Sequence, residues 1–86
     1  MNVPATAIQD EAVDLVLAER ISQDRKWGGP AHDDTETEGA WASYILEYAT
    51  GTGRGAGRSF ATRMQKVAAL GLAALEAELR RGKRPE

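Results

Sequence analysis

The stretch ATAIQDEAVDLVLAERISQDRKWGGP, Ala5 to Pro30, decides how this chain folds. Ile8, Ala12, Leu15 and Glu19 form a row at three- and four-residue spacing, and Val13, Val16, Leu17 and Ile21 widen its apolar side. That period predicts one amphipathic helix over about residues 5–26. Pro4 suits its first turn, and Asp10, Glu11 and Asp14 favour the positive end of a helix dipole. Gly28, Gly29 and Pro30 predict a firm stop, since glycine tolerates left-handed backbone and proline cannot continue the hydrogen-bond ladder.

Outward from that helix, residues 27–36 read as a loop. Thr35 and Glu38 have the spacing of a capping box. A shorter helix follows over about 37–49, with Trp41, Tyr44, Ile45 and Tyr48 on one face. Residues 50–58 alternate Gly51, Gly53, Gly55 and Gly57 and predict a flexible loop. Ser59 suits the N-cap of a third helix over about 59–81, with Phe60, Met64, Val67, Ala68, Leu72, Leu75 and Leu79 as its apolar set. Gly71 inside that helix costs roughly 1 kcal/mol against Ala, which predicts a close helix crossing there. The tail, 82–86, is expected to fray. No β-type alternation occurs. The fold class is therefore all-α: a small bundle of two long antiparallel helices and one shorter helix.

A chain of 86 residues predicts a single domain, 1–86. A domain this small hides only about 60% of its unfolded surface, so the bundle is expected to be completed by oligomerisation, as a dimer or larger homo-oligomer. With no Cys there is neither disulfide nor thiolate metal site. No apolar run approaches the roughly 20 residues of a membrane span, and the first residues lack the order of a signal peptide. A cytoplasmic protein is expected. Charge is segregated: ten acids against three bases up to Glu47, then no acid and four bases from Tyr48 to Leu75. The basic middle is suited to holding an anion. The plainer alternative is that the acidic and basic halves pair with each other.

Several groupings have chemical content, each beside a plainer reading. Glu19, Arg20, Gln23, Asp24 and Trp27 fall on adjacent turns; they form either a solvated face or one wall of a pocket in which Trp27 stacks on a ring and Lys26 or Arg20 meets phosphate. His32, Asp33 and Asp34 suggest a metal or acid–base site, although hydrogen bonding within the loop with an Asp capping the next helix fits better. The glycine loop, with Arg54 and Arg58, is either an anion loop at a helix N-terminus or a mobile linker; it lacks the Walker A order. Arg58, Thr62 and Lys66 make a polar stripe with Arg63 beside it, and Lys66 needs an anionic partner: Glu47, Glu19 or a ligand phosphate.

With ERISQDRKWGGPAHDD, WASYILEY and MQKVAALGLAALEAEL in this order, the chain resembles phage-encoded MazG-like all-α nucleotide pyrophosphohydrolases over most of residues 18–79. The resemblance implies a helical bundle that dimerises or tetramerises and cleaves nucleoside triphosphates with Mg²⁺, held by acidic motifs on two helices. At the matching positions this chain carries Glu47, Tyr48 and Gly51 on one helix, and Arg63 and Lys66 on the next. Cations stand where the family places carboxylates, so the resemblance is to a degenerate member lacking most metal-binding acids.

The expectation is a non-catalytic binder of a nucleotide or cyclic nucleotide, a phage-encoded sponge that sequesters an immune signal, with Arg20, Gln23, Lys26, Trp27, Arg58, Arg63 and Lys66 around the ligand and no metal or cofactor. One alternative is a reduced MazG-like pyrophosphohydrolase using Mg²⁺ at Glu19, Asp24 and Glu47, helped by Asp33 or Asp34 of a neighbouring subunit. Another is an interaction module whose acidic half docks on a basic host protein and inhibits it. DNA binding is not expected for a chain of net charge −2 with no recognition-helix signature.

Overall fold

The computed structural model describes residues 4–86. Four α-helices follow in order: α1, Ala5–Trp27; α2, Pro30–Asp33; α3, Glu38–Thr50; and α4, Phe60–Arg80, with a 3₁₀ turn, Gly53–Gly55, between the last two. All described regular structure is helical. The stop after α1 is made by Gly28 at φ 104°, whose N–H donates to the Asp24 carbonyl. Ser59 caps α4 by accepting from the Thr62 N–H.

Local readings differ from the structure in several places. The stretch expected to be a loop at 27–36 contains the short α2, started by Pro30 at its first position. The cap of α3 is Thr37, which accepts from the Ala40 N–H at 3.1 Å. Thr35 instead donates to the His32 carbonyl at 2.7 Å, so no Thr35–Glu38 capping box forms and no Asp caps this helix. The first turn of α1 holds no acid. At Gly71 an added Cβ would meet nothing within 4 Å, so among the described residues no close crossing occurs there.

The two long helices do not run antiparallel. Gln65 donates to the Leu15 carbonyl, Arg20 reaches Glu76, and Arg80 reaches Asp34. These contacts ascend together along both segments, so α1 and α4 run in the same sense and α3 is the return leg. The glycine loop is no mobile linker either. Gly55 is buried, and a Cβ there would collide with the Glu47 carbonyl oxygen and lie 2.9 Å from the Tyr48 Cα. The 3₁₀ turn is therefore laid backbone-to-backbone on the end of α3, which only glycine permits.

The buried hydrophobic residues are Ala69, Ala73 and Ala77, a stripe at four-residue spacing on α4. This is not the face predicted from the larger residues: Phe60 and Leu75 are exposed. Small side chains let the helices approach closely, but a buried methyl contributes only about 0.8 kcal/mol. Polar bridges do much of the joining. Every residue from Ala5 to Leu15 is exposed, and so are Leu17 and Ile21. Among the described residues the apolar side of α1 is thus left largely uncovered.

Candidate functional site

The C-terminal half of α1 lies across from α3, with α2 closing one end and α4 forming the floor. Between them is a cleft of roughly 160 Å³. From α1 come Glu19, Ser22, Gln23, Lys26 and Trp27; from α2 and the segment after it, His32, Asp33 and Glu36. The return helix supplies Trp41, Tyr44 and Tyr48, the 3₁₀ turn Arg54, and α4 Lys66, Leu70 and Ala73. Both Trp and both Tyr of the chain therefore face one cleft. Trp41, Tyr44 and Tyr48 reach it because three- and four-residue steps put them on one side of α3.

Electrostatically the cleft is balanced rather than basic. Glu19, Asp33 and Glu36 stand against Lys26, Arg54 and Lys66. Lys66 Nζ lies 3.1 Å from Glu19 Oε2, with both side chains largely buried. Of the three anionic partners considered for Lys66, it is Glu19 that the lysine meets. Arg54 pairs with Glu47 at 2.8 Å and covers the Tyr44 ring at 4.8 Å. The Lys26 ammonium has no carboxylate partner among the described residues; it sits 5.0 Å from the centre of the Trp27 ring. His32 stacks near Trp27, ring centres 6.3 Å apart, and its Nε2 meets Glu36 at 3.0 Å.

Of the expected ligand residues, Gln23, Lys26, Trp27 and Lys66 line this cleft. Arg20, Arg58 and Arg63 do not. Arg20 is buried and holds Asp24 at 2.8 Å, Glu76 at 2.7 Å and, more loosely, Asp33 at 3.6 Å. It ties α1, α2 and α4 together. Arg63 donates to the Tyr48 and Ala49 carbonyls, satisfying the open C-terminal end of α3. Arg58 donates to the Arg54 carbonyl. Several amides of the glycine loop are engaged as well. The Gly55, Ala56 and Arg58 amides are spent on carbonyls, and the Arg54 amide leans on Glu47.

The carboxylates of the enzymatic alternative are spent as well: Glu19 on Lys66, Asp24 on Arg20, Glu47 on Arg54. The hydrogen bond from Arg54 holds the Glu47 carboxyl below its usual range. Burial pushes Asp33 up, against the opposing pull of Arg20, and its Oδ2 has no hydrogen-bond partner. Asp34 bridges to Arg80, so His32, Asp33 and Asp34 point to three different partners. Among the described residues no three His, Asp or Glu side chains converge as a metal site, and none of the helices is long and apolar enough to cross a membrane.

Sequence reasoning overlooked Trp41, Tyr44 and Tyr48 as cleft residues, although their spacing was visible. Glu36 carried no signal in the sequence, whereas Asp33 and Arg54, read there as a metal or acid–base candidate and as part of an anion loop, reach this cleft because α2 and the 3₁₀ turn fold back. No protein family, curated protein or solved structure matches the chain.

Proposed function

We propose that this protein binds a nucleotide-like ligand in the α1–α3–α4 cleft and does not hydrolyse it. The observation that carries this reading is the convergence of Trp27, Trp41, Tyr44 and Tyr48 on one cleft. Aromatic faces stack on bases at about 1–3 kcal/mol per base. Among the described residues none of the four rings donates its N–H or O–H to another group, so these donors can serve a ligand. Such a binder acts by sequestering its ligand.

The residues do not fit the magnesium site that the resemblance implies. Glu47 is bound to Arg54, Tyr48 and Gly51 bring no carboxylate, and Arg63 is occupied with backbone carbonyls. Calorimetry with nucleosides and nucleotides, read alongside the quenching of tryptophan fluorescence, tests the proposal. Binding with quenching that weakens in Trp27→Ala is the expected result, and silence across all ligands overturns it.

A second copy of the chain is proposed to cover α1. Its exposed half, Ala5–Leu15, is shorter than the roughly 12–15 residues at which even good isolated helices become marginal. Ile8, Val13, Leu15, Leu17 and Ile21 are about half exposed, 47–55%. Among the described residues no apolar side chain larger than Ala is buried, and a partner needed for folding itself is most simply supplied by the same chain.

A further inference from the structure

We infer that the cleft takes a planar ring carrying one negative charge, so that a phosphodiester-type nucleotide fits it and a triphosphate does not. This deepens the nucleotide reading and rests on it. The argument is one of available charge. Lys66 is committed to Glu19 at 3.1 Å and Arg54 to Glu47 at 2.8 Å. Lys26 alone among the cleft cations has no carboxylate partner among the described residues, and it lies over the Trp27 ring at 5.0 Å. A ligand ring that takes the ammonium's place on the Trp27 face leaves that ammonium beside the ring's own substituents.

Further charge on the ligand meets opposition. To recruit Lys66, a phosphate chain must leave the Glu19 carboxylate, whose side chain is only 14% exposed, without its cation. Removing one partner of a shielded pair is costly because the other charge stays behind. Asp33, buried and held only loosely by Arg20 at 3.6 Å, adds a second carboxylate to the same cleft. A single phosphate charge at Lys26 avoids both.

The test is calorimetry of the full-length chain at neutral pH, without divalent metal, against a nucleoside, its 3′,5′-cyclic monophosphate and its triphosphate, for each of the four common bases. For at least one base the cyclic monophosphate is expected to bind about two- to fivefold tighter than the nucleoside, the worth of one exposed ion contact, and tighter than the triphosphate. Lys26→Ala, at an exposed position, should bring the cyclic monophosphate down to the nucleoside's affinity while helicity by circular dichroism is unchanged. Tightest binding by the triphosphate overturns the inference and leaves the nucleotide reading standing. Equal binding of nucleoside and cyclic monophosphate, or insensitivity to Lys26→Ala, also overturns it. Failure of every ligand to bind overturns both.

Discussion

At the scale of single residues, Arg20 and Gly55 illustrate two ways in which a position becomes irreplaceable. Arg20 is 7% exposed and is shared by Asp24, Asp33 and Glu76. Arg20→Ala strands the buried Asp33 carboxylate, and about 3 kcal/mol of stability is expected to go with it, the low end for a broken buried pair because Asp24 and Glu76 remain partly hydrated. Chemical denaturation measures that loss. Gly55→Ala forces a methyl into the α3 backbone and is expected to cost about 1–3 kcal/mol as overpacking. Two carboxyls should give opposite pH signatures in thermal melts. Asp33 has a folded pKa raised by burial, so its ionisation works against the fold. That loss is absent below the ordinary carboxylate range and grows as pH rises through the raised value. Asp33→Asn should therefore be more stable than the parent at neutral pH, with the gain fading on acidification. Glu47, lowered by its bond from Arg54, stabilises above the ordinary range and loses that contribution as pH falls. Glu47→Gln should lower the melting temperature at neutral pH, with the difference closing in acid. Two parallel curves would contradict these assignments.

At the scale of elements, helix ends decide the architecture. The α3 C-terminus is finished by Arg63, arriving from the next helix, and the α4 N-terminus by Ser59. Ser59→Ala should lower stability by about 1 kcal/mol, measured by urea denaturation, with ligand affinity unchanged because the cap lies outside the cleft. The signals for helix period and helix stops are local, which is why α1 was legible from Ile8, Leu15 and Gly28 alone. Capping was less so. Only Thr35 has a Glu three residues on, yet Thr37 makes the cap, because Thr35 is already bonded to His32 in the α2 turn. The same limit hid the inward face of α4. Hydrophobicity favours Phe60 and Leu75, yet close approach of helices favours Ala69, Ala73 and Ala77, and nothing in the helix period distinguishes the two.

At the scale of the molecule, the imbalance between a thin alanine core and a bare α1 face predicts association. Sedimentation should show a dimer or larger species. Leu17→Asp, on the uncovered face, should shift it towards monomer and reduce helical content as the first half of α1 frays. A parent chain that sediments as a monomer with full helicity would remove the proposal of a second copy.

Composition and periodicity by themselves established the all-helical class and the stop at Gly28, because each depends on neighbours within a few residues. Tertiary structure alone decided that α1 and α4 run in the same sense, that the glycine loop is laid against α3, and which cations remain free. Arg20, Arg63 and Lys26 look alike as charges along the chain. They differ because a buried guanidinium finds carboxylates, a guanidinium at a helix end finds carbonyls, and an ammonium at a cleft edge keeps its charge available, and those partners are brought together only by the fold.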